Sequence, residues 1–196
     1  APDMVIIKNR DDSKSWLVWF PDLGSSGGDC TYLLSLEGTG GLGNWCTDTV
    51  RLDGTTKVKI ASGSANYDWC NQSGETYVSY CWNSTEGFSQ MGNYTGNGSS
   101  NGPFIFTGFQ VAWLMVKSTA ASTNWRMYNN LMPAYNSETG IFYANTNTAQ
   151  NSTGHPFDFH SNGAKVRGSW QDINTSGQKY QYMMFAEFPF KYSNAR

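Results

Sequence analysis

Three groups of side chains in this chain could do chemistry. The first is "HPFDFH" (155–160), where strand alternation sets Asp158 and His160 on one face with His155 close by in sequence. Imidazole and carboxylate so arranged are ligands for a divalent metal, but no further ligand is identifiable and the competing reading is a loop or core-edge histidine. The second is the carboxylates. A glycan-cleaving site needs two of them across a groove, and Asp11-Asp12, Glu37, Asp48, Asp53, Glu75 and Glu86 are scattered through the first half, with Glu187 near the end. The third is the tryptophans of polar segments: Trp45 in "LGNWC", Trp69 in "NYDWCN" and Trp170 in "GSWQD", beside Asn44, Asp68 and Gln171. Exposed indoles stack on the CH faces of sugars, while amides and carboxylates bond to hydroxyls, and the same residue types dominate protein interfaces.

These groups sit in a chain of 196 residues with a formal net charge of −2, in which only 14% of residues are charged and 15% are aromatic. The first figure removes nucleic acid as a partner, since phosphate binding needs a concentrated basic surface. The aromatic content removes wholesale disorder. No apolar stretch has the length of a membrane-spanning helix. There is no serine nucleophile elbow, phosphate-cradling glycine loop or HExxH, so neither a catalytic residue nor a cofactor is assigned. The four cysteines, Cys30, Cys46, Cys70 and Cys81, lack CxxC spacing. Two disulfides are open to them in an oxidising compartment, but Cys81 inside "YVSYCW" is expected to be a buried free thiol.

The elements that must position these residues are short and β-like: "MVIIK", "WLVWF", "KVKI", "YVSYCW", "FIF", "AWLMVK", "WRMY", "GIFYA", "KVRG" and "YQYMMFAEF", with Gly, Asn, Asp or Ser in most gaps. Such runs point to an all-β sandwich fold. They also occur twice. "PDMVIIKNRDDSKSWLVW" (2–19) aligns without a gap on "VAWLMVKSTAASTNWRMY" (111–128), placing Lys8 on Lys117 and Trp16 on Trp125. Lys57 in "GTTKVKI" falls on Lys165 in "GAKVRG", and "NQSGETYVSYCW" (71–82) falls on "NTSGQKYQYMMF" (174–185), with Tyr77 on Tyr180. The expectation is two tandem β-sandwich units, 1–91 and 103–196, related by an internal repeat. Residues 92–102, rich in Gly, Asn and Ser, form a connector between them. Each lysine should end a strand at a water-exposed hairpin tip, with Trp16, Trp125, Tyr77 and Tyr180 in the cores. Asp11-Asp12 reads as a solvated turn, because the second copy has Ala120 and Ala121. "PFIFTGF" (103–109) has no counterpart before the first unit, so the natural protein is expected to extend N-terminally.

The segments "NGPFIFTGFQVAWLMVKSTAASTNWRMYNN", "FDFHSNGAKVRG", "INTSGQKYQYMMFAEFPFKYSNAR" and "EGFSQMGNYTGNGSSNGPF" together resemble a domain of marine tailed-phage, cyanophage-like virion proteins, found near the C-terminus of tail-fibre-like chains. The resemblance covers nearly the whole sequence, departing where Val111-Ala112 replaces the usual Pro-Ala. It implies a lectin-like or jelly-roll-like sandwich. It also implies a non-enzymatic structural protein on the particle exterior, distal on a fibre, that contacts a host-surface glycan or receptor. Partners would be other virion subunits in a homo-oligomer, such as a trimer, with no nucleic acid and no membrane insertion. A capsid decoration or head-fibre protein, and a tailspike-type glycanase, are the alternatives.

Overall fold

The structure, a computed structural model, describes residues 1–27, 30–46, 50–54, 56–60, 69–132, 140–151 and 157–189. Apart from one 3₁₀ turn at Pro21–Leu23, every described element is a strand and every ladder is antiparallel. The chain divides into two compact units, Ala1–Asn83 and Ser84–Arg196.

In the first unit, β1 (Met4–Asn9), β2 (Leu17–Trp19), β3 (Ser25–Gly27), β4 (Cys30–Ser35), β5 (Gly43–Cys46) and β8 (Tyr77–Trp82) form one sheet. Its path runs β3-β4-β2-β1-β8, with β5 attached to β4. A separate hairpin joins β6 (Val50–Asp53) to β7 (Lys57–Ile60). Strand alternation turns Val5, Ile7, Leu17, Trp19 and Leu33 to one face. There they pack with Val50 of the hairpin and Cys70, while Val58, Ile60, Trp69 and Tyr77 close the margin.

In the second unit, β9 (Ser89–Thr95), β11 (Val111–Ser118), β12 (Arg126–Asn129), β13 (Phe142–Tyr143) and β16 (Lys179–Ala186) form a five-stranded sheet in the order β13-β12-β11-β16-β9. A three-stranded sheet, β10-β15-β14, is built from β10 (Asn101–Phe106), β14 (Phe157–His160) and β15 (Gly163–Arg167). The core takes alternate side chains from both sheets, Leu114, Val116, Tyr180, Tyr182 and Met184 from one and Ile105, Phe157, Phe159 and Val166 from the other. Two sheets enclosing a shared apolar layer make the unit β-sandwich-like.

The unit boundary differs from the one read from composition. Residues 92–102 are not a connector: β9 continues to Thr95 and pairs along β16 from Ser89↔Phe185 to Thr95↔Lys179, and β10 begins at Asn101. Glycine and asparagine there serve close approach. A Cβ on Gly96 would lie 2.3 Å from the Thr175 carbonyl oxygen, and one on Gly92 would lie 3.0 Å from the Tyr182 hydroxyl.

Aligned positions of the two units occupy corresponding places in their ladders. Ile7 lies between Leu17 and Ser79, and Val116 between Arg126 and Tyr182. The Gln72 amide donates to Tyr77 Oη at 2.9 Å, as the Thr175 amide does to Tyr180 Oη at 2.8 Å. The Trp16 and Trp125 amides each donate to a side-chain oxygen 3.0 Å away, on Glu37 and Asn145. Lys8 Nζ donates to the carbonyls of Asn9 (2.6 Å) and Asp12 (2.9 Å), and Lys117 Nζ to those of Ser118 (2.8 Å) and Ala121 (3.2 Å). Each lysine therefore clamps the turn that follows its strand.

Lys117 does not sit at a wet tip. It is fully buried, because the small residues of its turn close over it, Ala121 and Thr123 among them. Lys8, whose turn carries Asp11 and Asp12, is only half-buried. Burial lowers the Lys117 pKa from an ordinary 10.5 to about 8. Between those values the unfolded chain binds the additional proton, so stability should rise with pH across that interval, by at most roughly 3 kcal/mol. Above pH ~10 the buried Tyr94 and Tyr128 oppose the gain: burial raises both, Tyr128 to about 12, so the unfolded chain loses those protons first. The buried Cys70 thiol, raised from 9.0 to about 12, opposes it already from pH ~9, so urea titrations from pH 7 to 11 should give a stability maximum between pH ~9 and ~10; no rise above pH ~8 for wild type, or an unchanged profile for Lys117→Met, would contradict this.

Other expectations shift in the same way. Trp125 is buried, but Trp16 is only half-buried and lies near-parallel to Tyr80 with ring centroids 6.4 Å apart. Tyr180 is buried whereas Tyr77 is half-buried. Cys70 is a buried free thiol pushed up to about 12 by burial. Cys81 is also a free thiol but is exposed: it shares the face of Val5 and Ile7, yet stands at the sheet's edge, where the core does not reach.

Candidate functional site

The exposed tryptophan on the firmest support is Trp170, in the loop between β15 and β16. Gly168 starts the loop at φ +99°, and a Cβ there would lie 3.0 Å from the Trp170 ring. Left-handed backbone and ring contact together require glycine. The Ile173 and Asn174 amides then close a turn onto the Trp170 carbonyl at 3.1 and 2.7 Å.

Three buried side chains and one half-buried carboxylate hold this turn. Asn174 is fully buried. Its Nδ2 reaches the carbonyls of Ser99 (2.7 Å) and Gly168 (2.8 Å) and Asn97 Oδ1 (3.1 Å), and its Oδ1 accepts from the Asn97 amide at 2.8 Å. Tyr180 Oη donates to the Gln171 carbonyl and Tyr94 Oη to that of Ile173, both at 2.7 Å. The Asp172 carboxylate is ion-paired with Arg126 on the inward face of β12. Buried and hydrogen-bonded polar groups of this kind fix a single loop conformation. Above them Trp170 is 53% exposed. Gln171, Ser169, Asn97, Ser99, Ser100 and Asn101 are exposed on the two loops that Asn174 ties together, and none carries a charge. An indole rim surrounded by amides and hydroxyls can stack on an uncharged ring and bond to its hydroxyls.

The other candidates are dispersed. Trp69 is half-buried against the first-unit core, with Lys14 Nζ 5.8 Å from its ring centre. Asn44 and Trp45 belong to β5, not to a loop, and Trp45 pairs with Thr31 through the backbone. Asp68 and His155 lie outside the described residues. Of the six proposed binding residues, only Trp170 and Gln171 are described together at one surface. Asp158 is buried and ion-paired with Arg167, while His160 is exposed with its ring edge-on to Phe104, centroids 5.7 Å apart. Among the described residues no three His, Cys, Asp or Glu side chains come together as a metal site.

Most described carboxylates are engaged structurally. Asp11 accepts from the Thr76 amide and hydroxyl, which hold it below the usual carboxylate range. Asp12 accepts from the Ser13 amide and pairs with Lys14, with the same effect. For Glu37, burial pushes upward, but hydrogen bonds from Ser15, Ser35 and Trp16 outweigh it and lower the pKa. Glu75 accepts from Asn9 and Tyr77. Glu187 is half-buried beyond β16.

The Asn174–Tyr180–Tyr94 support and the Arg126–Asp172 pair were missed in the sequence. The signal for Arg126 was its place two residues before Tyr128 on an alternating strand, which turns both inward. A second feature that sequence reasoning missed is the outer face of β10, where Phe104 is 44% and Phe106 64% exposed.

Comparison with known proteins gives one family: the profile described as Domain of unknown function (DUF7483) matches residues 1–189. No curated protein and no solved structure matches the chain.

Proposed function

The chain belongs to the DUF7483 family, and from that premise we propose that it is a non-enzymatic binding module on the exterior of a tailed-phage particle, taking a host-surface glycan at Trp170. The phage setting rests on the sequence resemblance described above. The glycan reading is carried by one observation, an indole 53% exposed on a loop fixed from beneath by Asn174, Tyr180, Tyr94 and Asp172. A platform that loses little freedom on binding keeps more of its contact energy as affinity. Structural use of the described carboxylates supports binding over hydrolysis. The two units are copies of one plan on this reading, supported by their corresponding ladders and lysine clamps, with the Trp170 surface elaborated in the second.

The test is binding of the purified chain to a panel of immobilised bacterial surface polysaccharides. Trp170→Ala should fold normally and lose affinity roughly 30-fold, the ~2 kcal/mol of a central aromatic contact. Unchanged affinity in a folded variant would refute the site. A second reading, subunit contact within the particle, is favoured by the exposed Phe104 and Phe106. Gold-labelled antibody on intact particles separates the two: label at fibre tips fits attachment, and label spread over the head fits a capsid decoration role.

A further inference from the structure

We propose that Cys30 and Cys46 are joined by a disulfide that staples β5 to β4. The ladder between these strands runs antiparallel from Leu33↔Gly43 through Tyr32↔Asn44 and Thr31↔Trp45 to Cys30↔Cys46. The two cysteines therefore stand directly opposite each other at its last step. The other two, Cys70 in the core and Cys81 exposed, are free thiols.

The kind of pair decides whether a bond fits. Opposed residues of an antiparallel ladder alternate between hydrogen-bonded and non-hydrogen-bonded pairs, and the second kind brings the side chains closer. A disulfide needs Cβ atoms about 3.5–4.5 Å apart, which only the closer pairs approach. The other edge of β4, where β2 and β3 lie, sets the phase. There the Leu36 amide donates to the Trp16 carbonyl at 2.9 Å and the Tyr32 amide to the Gly24 carbonyl at 3.2 Å. Alternate residues of β4, Leu34, Tyr32 and Cys30, thus turn their backbone groups to that edge, and Thr31 and Leu33 turn theirs to β5. Thr31↔Trp45 and Leu33↔Gly43 are the hydrogen-bonded pairs. Cys30↔Cys46 is of the closer kind.

The fold also has a use for the bond. β5 lies off the path of its sheet and, among the described residues, pairs with β4 alone. It is four residues long and opens with Gly43 and Asn44, both poor strand formers. The segment 36–42 ties β4 to β5 at the Leu33↔Gly43 end. At the opposite end only a covalent bond would stop the strand from fraying. The bond forms by exchange with a small-molecule or protein disulfide. One cysteine thiolate attacks it and releases a thiol. The second then displaces the mixed disulfide, so two protein thiols become one disulfide and the oxidant leaves as two thiols. On a particle exterior no reducing pool reverses the step.

Peptide mapping tests this on the wild-type chain, equilibrated in a glutathione redox buffer with its free thiols then alkylated. Trypsin leaves both cysteines in one peptide, between Lys14 and Arg51, and a protease cutting after Glu37 separates them. The two fragments should stay joined until reduced. Reduction should also lower the urea midpoint and speed exchange of the Thr31 and Leu33 amides, and should do neither in Cys30→Ser/Cys46→Ser. If that variant misfolds, the wild-type map and its reduced form decide alone. Separate alkylated fragments, a bond from Cys30 or Cys46 to any other cysteine, or reduction without effect on midpoint and exchange overturns the proposal.

Discussion

Asn174→Ala is expected to be among the most damaging single substitutions in the second unit, at about 3–5 kcal/mol. One side chain there, itself fully buried, answers the Gly168 and Ser99 carbonyls and the Asn97 amide, and so ties two loops together. Each buried backbone group left unpaired costs about 1–3 kcal/mol. Asn174→Asp should be no milder, since it keeps the acceptor for Asn97 but sets a buried carboxylate oxygen against the Ser99 and Gly168 carbonyls. Urea unfolding should show a lower midpoint with little change in slope, and glycan affinity should fall with it because Trp170 loses its footing. A loss under about 1 kcal/mol would mean that the two loops hold each other without this amide.

The Arg126–Asp172 pair should behave differently. Arg126 is 6% exposed, and its Nε and Nη1 have no hydrogen-bond partner among the described residues. Removing one member of a buried ion pair strands the other and costs about 3–5 kcal/mol, whereas apolar replacement of both is often close to neutral. At the aligned positions of the first unit stand two apolar residues, Leu17 in the core and Trp69 packed against its margin. Arg126→Leu should therefore destabilise strongly, and adding Asp172→Leu should restore most of the loss. Simple additivity in that double-mutant cycle would show that the charges do not act as a pair.

How much of this was legible in the sequence depended on what each element uses to hold itself. β1, β2, β11, β12 and β16 announce themselves through alternating or continuous apolar residues. β9 did not. In "SQMGNYT" only Met91 and Tyr94 are apolar, and its glycine is needed because the Tyr182 ring lies against the backbone. The same composition marks a flexible connector. The spacing of Lys117 was readable but its burial was not, because its partners are mainly backbone carbonyls, which every residue type supplies. Trp170 stood out by residue type and polar setting, yet what separates it from Trp69 is the support beneath it. That support comes from Asn174 and Tyr180, a few residues further along, and from Tyr94 of β9; Tyr180 was readable as core, but not that its hydroxyl holds the Gln171 carbonyl. Cys81 misled for a related reason: its neighbours read as core, but among the described residues its strand is the last in its sheet.

The placement of β16 between β9 and β11 also bears on how the second unit comes into being. Synthesis delivers β9 and β11 well before the strand that must lie between them. Until Lys179–Ala186 leaves the ribosome, the five-stranded sheet lacks the strand between β11 and β9, and each of those two has an unsatisfied edge facing the gap. The first unit is spared this, since β1 and β2 neighbour one another in both chain and sheet, β4 joins β2 after only the short β3, and β8 adds to the margin. Contacts so distant in sequence slow folding. The second unit should thus be the late and chaperone-dependent half of the molecule, vulnerable to a stalled or shortened product.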